Sequence, residues 1–175
     1  IVGFILVLVF MISYYKIPGI IASVTLIIYL LFLVAIFKIL PVTLTLSGAA
    51  ALILSIGFAV DANILISERI KEELKSGRNL LNSITIGFDR AWSSIRDGNF
   101  STLIIAIVLY WFGSNFSTSV MQGFALTLGV GVLLSMITSF QVNRILTRII
   151  TRNQSISKVG LFMPIARNAV KKESK

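Results

Sequence analysis

The 175-residue chain contains no cysteine and no histidine. Without cysteine there are no disulfides and no thiolate chemistry. Without histidine the chain lacks the commonest metal ligand and the usual proton shuttle. Any group here that takes up and releases a proton must therefore be a carboxylate, and only seven Asp and Glu residues are present. Charge of either sign is scarce: 13% of residues are Asp, Glu, Lys or Arg, where about 25% is usual in a soluble domain. No metal and no organic cofactor is expected, and the expectation is a transport protein rather than an enzyme. An initiator methionine and a signal-peptide n-region are also missing. Ile1–Tyr15 is apolar and begins without a cap. It is expected to be the truncated end of a helix, and the chain a fragment or a processed C-terminal piece.

Hydrophobic residues make up 56% of the chain, and several apolar runs are long enough to span a bilayer. The fold class expected is an all-α membrane protein, a polytopic bundle of five transmembrane helices with the first one truncated. The helices are expected near residues 1–15, 19–37, 42–67, 98–113 and 119–142. A cytoplasmic amphipathic segment, 68–96, separates the third from the fourth. Residues 1–150 form the transmembrane domain and 151–175 a basic cytoplasmic tail. Tyr14-Tyr15-Lys16 ends the first helix with aromatics and a cation, as at a membrane interface. Pro18-Gly19 is expected to make the following turn, and Lys38 and Pro41 to stop the second helix. Gly77 is a helix stop and Asn79 a cap for the next helix. There Leu81, Ile84, Phe88, Trp92 and Ile95 share one face. That face suits the headgroup layer or packing on neighbouring helices. Asp97-Gly98-Asn99 is expected to start the following helix, with Asp97 as an acidic cap at its N-terminus and a transport role as the less favoured alternative. Trp111-Phe112 marks its far interface.

One carboxylate interrupts this pattern. From Thr43 to Ser67 the only ionisable residue is Asp61. A charged carboxylate inside the membrane costs on the order of 3 kcal/mol or more, and such residues usually mark ion or proton paths. Asp61 is the candidate proton carrier; a helix–helix hydrogen bond or ion pair is the structural alternative. Gly57, Leu54, Ala50 and Ser47 share its helical face, a small-residue seam that lets another helix approach. On the last helix Thr127, Gly131, Ser135 and Thr138 form a similar hydroxylated face, suited to packing on the third helix and supplying hydrogen bonds near Asp61. Asn63, Gly57, Asp97, Asn99, Thr127 and Ser135 are the candidate supporting polar or packing residues.

The net charge of +9 is placed unevenly. With these spans, 15 of the 16 Lys and Arg residues fall on one side and only Lys38 on the other. The cation-rich side is expected to be cytoplasmic, with the C-terminus on it. Arg144, Arg148 and Arg152 repeat every fourth residue and lead into the basic tail. Contact with anionic lipids is expected there. Nucleic acid is not, because no stacking aromatics or recognition motif accompany the charge.

Several stretches together resemble the SecD family of protein-export membrane proteins, a branch of the resistance-nodulation-division superfamily. They are Tyr14-Tyr15-Lys16-Ile17-Pro18-Gly19, Ala59-Val60-Asp61-Ala62-Asn63-Ile64-Leu65-Ile66 with the Glu68-Arg69-Ile70 that follows, Asp97-Gly98-Asn99-Phe100-Ser101-Thr102-Leu103-Ile104, and Gly123-Phe124-Ala125-Leu126-Thr127-Leu128. They occur in the family's order and cover about residues 1–150. The resemblance implies a subunit that works with SecF beside the SecYEG translocon, with YajC and YidC as further candidate partners, in the bacterial inner membrane. It implies that proton flow drives preprotein movement, that Asp61 matches the family's intramembrane carboxylate, and that a preprotein is gripped by an external domain this sequence does not contain. Ser67 and Gly98 depart from the residues many relatives carry there. Two other functions remain open: a docking subunit that conducts no protons, and a lipid or drug exporter of the same superfamily.

Overall fold

The structure is a computed structural model that describes residues 2–39, 45–116 and 118–152. It consists of α1 (Val2–Tyr15), α2 (Ile17–Ile39), α3 (Leu46–Lys75), α4 (Leu80–Asn115), α5 (Ser119–Ile137), one π-helical turn (Thr138–Val142) and α6 (Asn143–Arg152). Among the described residues there is no strand. That follows from the solvent implied by the composition: in hydrocarbon each backbone N–H and C=O must be satisfied within the protein, and a helix does so by itself. Among the described residues four stretches are long and apolar enough to cross a membrane, namely α2, α3, α4 and the run Ser119–Thr151; α1 is apolar but shorter. The basic tail expected beyond residue 150 lies, from 153 on, outside the described residues, as does the expected start of the third helix at Val42.

Helices α3, α4 and α5 pack on one another, and α2 lies between α1 and α3. Small residues set the closest approaches, as expected where packing rather than water exclusion holds helices together. A Cβ at Gly131 of α5 would stand 2.5 Å from the Ser55 Cβ of α3. The Tyr29 hydroxyl of α2 reaches the same point and donates to Ser55 Oγ at 2.9 Å. One apolar cluster joins Leu26, Tyr29, Leu33 and Ala59 across α2 and α3, and another joins Ala51, Ala106, Leu128 and Val132 across α3, α4 and α5.

Two expected boundaries move. Pro18-Gly19 is not the first turn. Lys16 alone makes it, with φ of 51°, and Pro18 sits in the first turn of α2, where its missing N–H costs nothing. Gly19 instead permits contact, since a Cβ there would come within 2.0 Å of the Met11 carbonyl oxygen of α1.

The larger correction concerns Asp97-Gly98-Asn99. This stretch starts no helix. It lies in the middle of α4, which runs unbroken for 36 residues from the Asn79 cap, where Asn82 N donates to Asn79 Oδ1 at 2.8 Å. Asp97 is therefore no N-terminal cap; it is exposed and pairs with the adjacent Arg96 at 3.0 Å.

The segment expected to lie in the headgroup layer is the first half of α4, and its apolar face is already covered. Leu80, Ile84, Phe88, Ala91 and Ile95 pack on Ala62, Ile66, Ile70 and Leu74 of α3. A Cβ at Gly87 would stand 2.8 Å from the Ile70 backbone, so the two helices touch. Leu81 projects outward instead, 65% exposed. At about 1.5 Å per residue α3 and α4 exceed a hydrocarbon core of about 30 Å, so this hairpin extends past the bilayer at the end carrying Glu68–Arg96, called below the charged end. Glu73 is buried at its tip, bonded to Arg78 at 3.0 Å and to Arg90. The hairpin is thereby tied across the Gly77 turn, a clamp that the sequence reading did not pick out.

Candidate functional site

Asp61 lies midway along α3 on an exposed face. No hydrogen bond or ion pair to another described residue engages its carboxylate. Ala50, Leu54 and Gly57, expected on its face, are exposed with it, and nothing lies within 4 Å of a Cβ built on Gly57. The small-residue seam therefore exists, but no helix among the described residues occupies it.

Successive residues of a helix turn by about 100°, so Asn63, two positions on, points nearly opposite to Asp61. Asn63 is buried and anchors a polar network. Its amide nitrogen donates to the Ala59 carbonyl at 2.8 Å and to Ser139 Oγ at 3.4 Å. Its oxygen accepts from Asn143 Nδ2 at 2.8 Å. The Thr147 hydroxyl donates to Asn143 Oδ1 at 3.1 Å, and the Ser67 hydroxyl to the Asn63 carbonyl at 2.9 Å. Ser135, Ser139, Asn143 and Thr147 follow at four-residue spacing. Such a stripe drifts around an ideal α-helix, and the wider π turn at Thr138–Val142 absorbs that drift. Among the described residues no fully buried side-chain polar atom lacks a partner, as a low-dielectric interior requires.

The face that carries Thr127 and Gly131 packs against α3. Thr127 is buried, with its Oγ1 3.3 Å from where a Gly48 Cβ would be, and Ser135 donates to the Val132 carbonyl at 2.8 Å. They lie on the inner side with Asn63, and neither bonds to Asp61. Of the seven candidate residues, the structure gathers Asp61, Gly57 and Asn99 around open space. Asn63, Thr127 and Ser135 belong to the packed interior, and Asp97 to the surface.

Asp61 forms the ridge between two grooves. One, of about 220 Å³, runs between α3 and α4 and is lined by Phe58, Asp61, Ala62 and Leu65 from α3 and Ser94, Ile95, Gly98, Asn99 and Thr102 from α4. The other, of about 540 Å³, lies between α1 and α3. Apart from Asp61 it is lined only by Gly and apolar side chains: Gly3, Phe4, Val7, Ile53, Ile56, Gly57 and Val60. Ser94, Gly98 and Thr102 recur every fourth residue, a spacing that would have marked the polar groove once α4 was read as continuous.

A multi-pass helical membrane bundle with one acid in a spanning helix is a transport-type architecture. Residues 1–153 match the family described as protein export membrane protein SecD/SecF, C-terminal. The chain is 51% identical over 156 residues to the protein translocase subunit SecD of Thermobaculum terrenum, which covers 86% of the chain and 30% of that relative. It is 46% identical over 162 residues to the protein translocase subunit SecD of Dehalococcoides mccartyi, covering 92% of the chain and 36% of the relative. In three dimensions it is similar to the crystal structure of SecDF, a translocon-associated membrane protein from Thermus thermophilus. The TM-score is 0.78 at 34% identity, over 87% of the chain and 21% of that structure. The chain belongs to the SecD/SecF export membrane protein family and corresponds to its C-terminal membrane part. It spans about a third of the length of the curated relatives it matches.

Proposed function

We propose that the chain is the membrane part of a Sec export subunit that uses the proton-motive force to assist preprotein translocation, with Asp61 as the proton carrier. The observation that carries this reading is the Asp61 carboxylate, which no other described residue engages, on an open face of α3 beside a polar groove. A structural acid in a membrane bundle is normally consumed by a hydrogen bond or an ion pair; no described residue engages this one. SecF is the partner for the open face of α3, where Gly57 and Ala50 leave room for a helix to approach. The likeness to SecDF structures supports that choice. The complex works beside SecYEG, with YajC and YidC as further partners, and a preprotein is held by parts of the protein outside this chain. The charged end faces the cytoplasm, following the distribution of Lys and Arg, and the membrane is the bacterial inner membrane. Exposed Arg148 with Ile145 and Ile149 on α6 contacts anionic lipid headgroups. Protonation of Asp61 removes a charge from the α3 surface and biases two packings of α3 against its partner.

Proton flux tests this directly. The full-length protein reconstituted with SecF and SecYEG should dissipate an imposed pH gradient during translocation, read by an internal pH dye. Asp61→Asn should abolish that flux while the complex still assembles; an unchanged flux rejects the carrier role. A second reading draws on the same open face: a helix can dock there whether or not Asp61 cycles a proton. The chain would then be a docking subunit, and Asp61→Asn would leave translocation intact.

A further inference from the structure

A third groove, of about 550 Å³, runs between α4 and α5 away from Asp61. Gly98 lines the groove beside Asp61 and Phe100 lines this one; two positions apart on a helix, they face nearly opposite ways. We propose that the α4–α5 groove binds one zwitterionic phospholipid of the charged-end leaflet, with an acyl chain in the groove and the headgroup on Asp89, Arg96 and Arg144. The inference rests on the chain crossing a membrane and not on Asp61 carrying a proton.

Side-chain size builds the groove. Ala106 and Gly129 form its floor: a Cβ at Gly129 would meet the Ala106 Cβ at 3.7 Å, an ordinary contact. Phe100, Ile104, Ile107 and Leu133 form its walls, each about half exposed or more. A partner helix docks on small residues that let backbones approach, as Ala50 and Gly57 do on α3. Bulky walls around a narrow floor suit a thin, flexible chain instead. Tyr110 is the only lining residue with a polar side chain, and an apolar cavity stays dry and accepts hydrocarbon.

The charges at its mouth select the headgroup. Asp89, Arg96, Leu103 and Tyr110 recur every seven residues, and an α-helix drifts only about 20° in each such step. Leu103 and Tyr110 line the groove, so Arg96 and then Asp89 stand above it towards the charged end. Trp92 lies between them, its ring 4.4 Å from that of Phe140, and the Arg144 guanidinium sits 5.4 Å from the Phe140 ring. Trp92 and Trp111 are about 28 Å apart along the helix, close to the thickness of a hydrocarbon core, so Trp92 marks the charged-end interface. Arg96 starts one turn deeper and leans back towards Trp92, as helical side chains do. Its Nε donates to Asp97 at 3.0 Å, and its other N–H groups bond to no described residue. Asp89 is exposed and forms no ion pair with a described residue. Arg96 and Arg144 are thus balanced by Asp89 and Asp97, with Arg148 one turn further out on α6. An anionic headgroup gains little from a balanced mouth. A zwitterionic one fits its order, with the deeper phosphate on Arg96 and Arg144 and the shallower ammonium on Asp89.

The test uses the full-length protein with SecF in liposomes. The probe is a phospholipid with a diazirine in one acyl chain, made with either an ethanolamine or a glycerol headgroup. Photo-adducts are mapped by peptide mass spectrometry. Adducts on residues 100–110 and 125–133 should form about fivefold more from the ethanolamine probe, the scale of one exposed ion pair. Leu31 and Val34 of α2, which are 66% and 65% exposed, should show no such preference.

Variants separate the two halves of the site. Asp89→Lys, at an exposed position that tolerates change, should reverse the preference in favour of the glycerol probe. Gly129→Leu fills the groove and should remove adducts there from both probes while leaving those at Leu31 and Val34. Equal labelling of the wild-type groove by the two probes, or more from the glycerol probe, overturns the proposal. So does an unlabelled groove, which would mean that a protein segment covers it. The readout is lipid contact, so these outcomes are independent of whether Asp61→Asn stops translocation.

Discussion

The two sides of α3 solve opposite problems with residues two positions apart. On the inner side Asn63 is buried and fully bonded, to Ala59, Ser139 and Asn143. On the outer side Asp61 is exposed and engages no described residue. The inner side is crowded, to the point that Gly131 has no room for a methyl group beside Ser55; the outer side is vacant beyond Gly57. A membrane offers no water to satisfy a polar group, so a polar residue either finds its partner within the fold or awaits one outside it. Asn63 is of the first kind and ties α3 to the π turn and α6 in one rotational register. That register points Asp61 outward.

The same substitution should therefore act very differently on the two sides. The largest effect is expected from Gly131→Leu. It forces a side chain into a crossing with no free space, and should cost about 3 kcal/mol or more, from overpacking plus loss of the Ser55–Tyr29 contact. Thermal aggregation in detergent would report it as a large drop in midpoint. Asn63→Leu should come next, at about 1–2 kcal/mol, because it strands the Asn143 amide in the interior. Exchanging the two side chains, Asp61→Asn with Asn63→Asp, should be worse than Asn63→Leu and should not restore transport, since it buries a carboxylate among groups already paired. Glu73→Gln should cost about 1 kcal/mol, as Arg78 and Arg90 are more than half exposed and their attraction to Glu73 is screened. Protease sensitivity of the α3–α4 turn would show it before global stability does. Gly57→Ala, the smallest change, should leave the isolated subunit within about 0.5 kcal/mol of wild type and register only in association with the partner. A stability loss for Gly57→Ala as large as that for Gly131→Ala would break the comparison between the two sides.

Much of this layout was legible before any coordinates. The apolar runs placed α2, α3 and α5, Asn79 marked the start of α4, and the lone carboxylate pointed to Asp61. Two things were not legible, for different reasons. Asp97-Gly98-Asn99 carries the local signature of a helix start, and local signatures do not report what precedes them. The evidence against a break was the longer pattern: Ile84, Phe88, Ala91, Ile95, Asn99 and Ala106 keep one buried face in phase across the supposed boundary. The partner of the Thr127–Ser135 face was legible, but its side was not. That face does pack on α3, but the hydrogen bonds expected near Asp61 do not form: Ser135 bonds to Val132 of its own helix, and Thr127 lies beside Gly48. A helix register that turns on the bulk of Gly131 and on one π turn leaves no trace in composition or in an apolar run.

The central claim is that the outward carboxylate of α3 is a working proton site and the inward polar network is scaffold. Late-stage preprotein translocation in inverted vesicles, driven by an imposed proton gradient, tests it most directly. Full-length wild type should be compared with Asp61→Asn, each with SecF present and with complex assembly measured alongside. Asparagine keeps the size and hydrogen-bonding groups and cannot exchange a proton. The account predicts that the gradient-dependent part of translocation disappears while the complex persists. Gradient-dependent translocation at the wild-type rate in Asp61→Asn would contradict it and leave Asp61 a docking residue.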